Sequence, residues 1–243
     1  MKKLTKSMIL EASGTLVRTL RGRLGDGLVS AALYGSTVRG DFDPERSDVN
    51  MLLVVADANP ATLDALAEPL QAARIAFRCA PFVIGREEIC RSLDVYAVKF
   101  LEMQRACEVL DGADPLAGLT MPPGAVRRES ERELRNITFK LRRAYLALRP
   151  DSAALVGTLR QFLPPLTAIV HRWVDYRSVE RHGGDFIDAA ARHYGFEART
   201  YRDLLALRHR PATPWPTVED AYHFLFVFLE KITAEVDEEG PGK

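Results

Sequence analysis

Apolar positions mark out alternating helices and strands in the first half of the chain and helices alone in the second. Between Thr5 and Leu24, the residues Met8, Ile9, Leu16, Val17 and Leu20 recur at helical spacing, and Gly25 and Gly27 supply the stop signal. Leu28 to Tyr34 and Val49 to Val55 are short apolar runs, predicted as buried strands, and a polar, charged loop from Gly35 to Ser47 joins them. Pro60 opens a helix predicted through Arg74, with Leu63, Leu66 and Leu70 on its apolar face, and Ile75 to Ile84 reads as a third strand that Gly85 breaks. After Glu87 a helical stretch passes through Phe100 and Met103, and Ala106 to Leu110 reads as a fourth strand ended by the turn residues Asp111 to Pro115.

From Arg127 onward strand-like runs disappear. Leu134, Ile137, Leu141, Ala144, Tyr145 and Leu148 form one helical stripe, Leu155 to Val174 a second helix bent or broken at Pro164 and Pro165, and Val218 to Val236 the last. Shorter helices are predicted over Phe186 to Tyr194 and Tyr201 to Leu207. The change of character near Pro122 and Pro123 divides the chain into an α/β part, residues 1–121, and an all-α part, residues 122–243.

Composition narrows function only a little. With 33 basic and 33 acidic residues among 243, no global field draws the chain to nucleic acid or to a membrane surface, so polyanion binding has to come from local patches. Cys79, Cys90 and Cys107 show no CxxC spacing, and the five histidines, at 171, 182, 193, 209 and 223, include no pair four apart, so neither a disulfide framework nor a zinc site is predicted. No signal-peptide pattern follows the basic start and no window is read as long enough to span a bilayer, so a cytoplasmic protein is expected.

The candidate chemistry lies in the loop between the first two strands. Gly35, Ser36, Arg39 and Gly40 follow the first strand, and Ser47, Asp48 and Asn50 introduce the second. Strand, Gly-Ser, short loop, then an Asp-x-Asp strand is the pattern that this segment resembles: that of the DNA polymerase β-like nucleotidyltransferase superfamily. The resemblance implies an α/β (α+β) nucleotidyltransferase domain with a small mixed sheet, followed by a helical bundle like that of the antibiotic nucleotidyltransferases. It also implies transfer of a nucleoside monophosphate from a nucleoside triphosphate to a hydroxyl acceptor, with Mg2+ held by carboxylates.

Mapped by motif, Gly35, Ser36, Arg39, Gly40 and Ser47 would contact the nucleotide. Positions 48 and 50 point to one face of a strand and are where the family pairs its metal-binding carboxylates. Here Asp48 is matched by Asn50, a neutral amide, and the Ile75 to Ile84 segment holds no third acid, only Arg78. Asp41, Asp43, Glu45, Asp94 or Glu102 could compensate, or Arg78 could stand in for one cation by holding phosphate. Two readings therefore stand: a magnesium-dependent enzyme using Asp48 and Asn50, or a pseudoenzyme that keeps the cleft for nucleotide binding or protein contact. A third is a partner-binding helical module.

Other features have ordinary explanations. Arg128, Arg132, Arg135, Lys140, Arg142 and Arg143 crowd one helix, but Glu129, Glu131 and Glu133 are interleaved at pairing distance, so a salt-bridged solvated face is expected. Trp173, Tyr176, Tyr222, Phe224, Phe226 and Phe228 read as bundle core. A homodimer or a protein partner is left open.

Overall fold

The computed structural model describes residues 4–40, 42–44, 47–177, 185–207 and 217–238. It separates into two compact units, Met1–Pro122 and Pro123–Lys243.

In the first unit, helix α1 (Lys6–Leu24) is capped by Thr5, whose hydroxyl accepts from the Met8 amide, and a 3-10 turn over Gly25–Gly27 leads into strand β1 (Leu28–Tyr34). A four-residue helix, α2 (Ser36–Arg39), follows directly, and then strand β2 (Val49–Val55). Helix α3 (Pro60–Phe77) starts with Asn59 accepting from Thr62 N and proline at the first helical position, where no hydrogen bond is lost. Strand β3 (Cys79–Gly85), helices α4 (Arg86–Arg91) and α5 (Ala97–Arg105), and strand β4 (Cys107–Gly112) complete the unit.

The sheet order is β3-β2-β1-β4, with β1 antiparallel to β2 and β4, and β2 parallel to β3. Both faces are covered, which explains why β2 reads as an unbroken apolar run. Val49, Met51, Leu53 and Val55 pack with Ile9, Leu16, Leu20, Leu66 and Phe77 from α1 and α3. Leu52 and Val54 pack on the other face with Ile84, Ile89, Phe100 and Met103. Pro81, opposite Met51, is tolerated because β3 is an edge strand and the missing N–H breaks no ladder bond on its open side.

Several boundaries differ from expectation: β4 runs on through Asp111 and Gly112, expected as turn residues, α9 spans Ala198–Ala206 rather than Tyr201–Leu207, and two further differences bear on the site. Ile75, Ala76 and Phe77 belong to α3 rather than to the third strand, because the helix's buried stripe (Leu66, Ala73, Phe77) needs one more turn to seat Phe77, leaving Ile75 81% exposed. Arg78 then ends the helix in the left-handed region, φ 57° and ψ 39°, a position that glycine usually fills, and an L-residue there costs roughly 1 kcal/mol. The helical stretch predicted after Glu87 is two helices, parted at Ser92–Tyr96, where the amides of Val95 and Tyr96 turn back onto the Ser92 carbonyl.

The second unit contains α6 (Ala125–Leu148), α7 (Ser152–Tyr176), α8 (Phe186–Tyr194), α9 (Ala198–Ala206) and α10 (Val218–Glu238). Its core is formed by Leu134 and Leu141 of α6, Leu159, Leu163, Leu166 and Trp173 of α7, Tyr201 of α9, and Tyr222, Leu225 and Phe228 of α10. Helix α7 is continuous through Pro164 and Pro165, so of a bend or a break there the break does not occur. By length and composition it is also apolar enough to cross a membrane, contrary to the reading of the sequence. Its apolar stripe is buried against the other helices of the bundle. Part of the basic face of α6 is salt-bridged as expected, with Glu131 pairing with both Arg127 and Arg135 and Arg135 gripping Asp237 with two hydrogen bonds, but Glu129, expected on the solvated face, is buried.

Candidate functional site

The ends of three strands meet where β1 stops and β2 and β3 begin. Asn50 of β2 lies opposite Tyr34 of β1 on one side and Ala80 of β3 on the other. Gly35 leaves β1 at φ 77° and ψ −143°, close to a region that is essentially glycine-only, and its amide donates to the Ala106 carbonyl. From there the chain turns at once into α2. The Gly35 carbonyl accepts from Val38 N and Arg39 N, and Gly40 closes the turn at φ 93° with its amide on the Ser36 carbonyl.

Asn50 and Gly35 are in contact across this junction. A Cβ on Gly35 would lie 3.2 Å from Asn50 Nδ2, so the strand-to-helix turn and the second motif strand are fitted to one another. Gly35→Ala is therefore expected to destabilise the first unit by about 1–3 kcal/mol, from backbone strain plus displacement of the Asn50 amide. A urea titration checks this, and an unchanged midpoint would show that the turn tolerates a side chain.

The remaining motif residues divide into two groups. Ser47 holds the loop: its hydroxyl accepts from Asp43 N at 3.0 Å while its own amide donates to the Asp43 carbonyl at 2.8 Å. Asp48, by contrast, is exposed and lines a cleft of about 390 Å³ with Arg74, Arg78, Cys79, Ala80 and Pro81. Arg78 sends one guanidinium N–H to the Pro44 carbonyl, tying the end of α3 to the motif loop, and its carbonyl accepts from Val49 N. Arg39 is exposed at the end of α2. Asp41 and Glu45 lie outside the described residues.

On the face of the sheet that carries Leu52 and Val54, Tyr34 and Phe82 pack beside α5. Lys99 of α5 sits 4.2 Å from the centre of the Phe82 ring. Burial, then the Glu102 carboxylate, pushes the Tyr34 phenol up to about 12. Burial lowers the Lys99 ammonium, and Glu102 partly offsets it. Glu102, one of two late candidates for a compensating acid, thus acts electrostatically at Tyr34, the residue before the Gly-Ser turn. Asp94 is an exposed residue of the Ser92–Tyr96 turn. Arg74, Lys99 and Phe82 were not picked out from the sequence, since each reaches this end of the sheet from an element remote from the motif.

The residues do not fit the carboxylate-rich magnesium site that the motif implies. Among the described residues no three His, Cys, Asp or Glu side chains are grouped to hold a metal ion. The side chain at position 50 is an amide turned against Gly35, and the other charged residues lining the cleft that takes Asp48 are two arginines, Arg74 and Arg78.

No family model matches the sequence, and no curated protein does. The structure, however, is similar to that of spectinomycin adenyltransferase AAD(9) from Enterococcus faecialis, solved with ATP and spectinomycin. The TM-score is 0.52 at 15% identity, over 90% of this chain and 98% of that one. The chain has a polymerase β-like nucleotidyltransferase fold. A toxin–antitoxin structure with AMP-PNP also matches, with a TM-score of 0.30 and 16% identity over 42% of this chain and 74% of that one, too low a similarity to bear on function. The mixed four-stranded sheet is the nucleotidyltransferase part of this fold and the all-α unit is its helical bundle.

Proposed function

We propose that this protein transfers a nucleoside monophosphate from a nucleoside triphosphate to a hydroxyl group of a small molecule. The observation that carries this reading is the fitting of the Gly35–Ser36 turn against Asn50, with Asp48 two residues away and open to solvent. Gly35 allows a phosphate to approach the backbone, and the amides and hydroxyl at the start of α2 are donors of the kind that hold phosphate. Asp48 is the carboxylate placed to take the acceptor's proton as its oxygen attacks the α-phosphorus. The bond from that phosphorus to the β-phosphate bridging oxygen breaks, and pyrophosphate leaves. Support for a small acceptor comes from AAD(9), which was solved with ATP and spectinomycin and whose similarity to this chain extends over nearly the full length of both.

The test is to incubate the protein with each nucleoside triphosphate and a panel of polyhydroxylated small molecules, spectinomycin included, and follow products by mass spectrometry. One pyrophosphate should be released for each acceptor that gains a nucleoside monophosphate. Release of orthophosphate would contradict the reaction. A second reading, nucleotide binding without turnover, is favoured by the amide at position 50, and saturable binding with no adduct in any combination would select it.

A further inference from the structure

The misfit with magnesium has a counterpart in the same cleft. We infer that Arg74 and Arg78 form a polyphosphate-binding pair that supplies, without a metal ion, the positive charge that the missing carboxylates would otherwise recruit. The inference rests on the nucleotide reading of this site and names how its phosphates are held.

Three observations carry it. First, the cleft is lined by two arginines and one acidic residue, Asp48, a net formal charge of +1 around about 390 Å³, enough room for a phosphate chain. Second, Arg78 is the only non-glycine residue with positive φ among the described residues. The C-terminal position of a helix in this conformation is where glycine is favoured, so an arginine is kept there against backbone preference, as happens where a side chain has a task. Third, the Arg78 guanidinium is held by one bond to the Pro44 carbonyl, which leaves its other N–H groups for a ligand, and the side chain of Arg74, in the last turn of α3, makes neither a hydrogen bond nor an ion pair among the described residues. A planar guanidinium matches phosphate oxygens with two parallel hydrogen bonds, and a second beside it spans a neighbouring phosphate.

The experiment is calorimetric titration of inorganic tripolyphosphate and of ATP in EDTA and then in magnesium, on the wild type, Arg78→Gly and Arg74→Gln. Both ligands should bind the wild type in EDTA, with an affinity that falls as salt rises. Arg78→Gly should weaken both at least tenfold and Arg74→Gln about three- to tenfold. Arg78→Gly also relieves the left-handed backbone, so its melting temperature should stay level or rise, separating lost binding from lost folding. Should it fold poorly, Arg74→Gln on its exposed helix face carries the test.

Binding that strictly requires magnesium, or an affinity in EDTA unchanged by either substitution, overturns the inference and leaves the transfer reading standing. Binding in EDTA that both substitutions weaken, in a protein that forms no adduct, upholds the inference and removes the transfer reading. No binding of either ligand under any condition removes both.

Discussion

Asp48→Ala is expected to lower nucleotidyl transfer by about 10²–10⁴-fold, the usual worth of a positioned general base. The protein should melt where the wild type does, within about 0.5 kcal/mol of stability, because Asp48 is exposed and its side chain makes no hydrogen bond or ion pair among the described residues. Asp48→Asn separates charge from shape: if the carboxylate acts as the base, the amide is as inactive as alanine. Steady-state rates of pyrophosphate release with a competent acceptor provide the measurement. A rate within a factor of two of wild type would place the base elsewhere, and Asp48 would then be only a polar residue at the entrance to β2.

The second large effect concerns the bundle. Glu235 of α10, with a side chain only 17% exposed, accepts hydrogen bonds from Tyr194 Oη, from Trp173 Nε1 at 3.3 Å and from Arg177 Nε at 3.2 Å, and pairs with His193 Nε2 at 2.9 Å. The carboxylate thus gathers the C-terminal ends of α7 and α8 onto α10. Glu235→Leu leaves these groups in a site with no acceptor, so a loss of about 3 kcal/mol is expected in the unfolding free energy.

Burial alone would raise the Glu235 carboxyl, but the bonds from Tyr194 and His193, with His193's charge, outweigh it and hold the group below its ordinary 4.5. A depressed carboxyl stabilises the fold above its unfolded pKa, and that contribution is lost as pH falls through the lower folded value. The stability gap between wild type and Glu235→Gln should therefore be full at neutral pH and shrink below about pH 4.5. Urea unfolding at a series of pH values reads it, and a gap that widened in acid would contradict the assignment.

The motif and most elements were legible because both are local properties. Gly35, Ser36, Asp48 and Asn50 sit within 16 residues of one another, and strand or helix periodicity is carried by neighbours in sequence. What escaped depends on position in space. Ile75 to Phe77 looked like the start of a strand because three apolar residues in a row carry no period, and because Arg78, an unusual left-handed stop, gives no glycine signal. Arg74 marked only the predicted end of a helix, and the parallel pairing of β2 with β3 brings the end of α3 to Asp48.

Ser47 also holds the loop through Asp43, a role that a serine before an aspartate does not announce. Helix α7 shows the same limit in the bundle. Two adjacent prolines predict a bend or a break, and with Leu159, Leu163, Leu166 and Trp173 packed in the bundle core the helix runs on without a break.

Hydrogen–deuterium exchange with and without ATP tests the placement of the nucleotide most directly. Slowed exchange is expected, confined to residues 34–40, which carry the Gly35–Ser36 turn, and to 47–50 and 74–80 around Asp48 and the two arginines. Exchange unchanged there, or slowed only within residues 123–243, would contradict it.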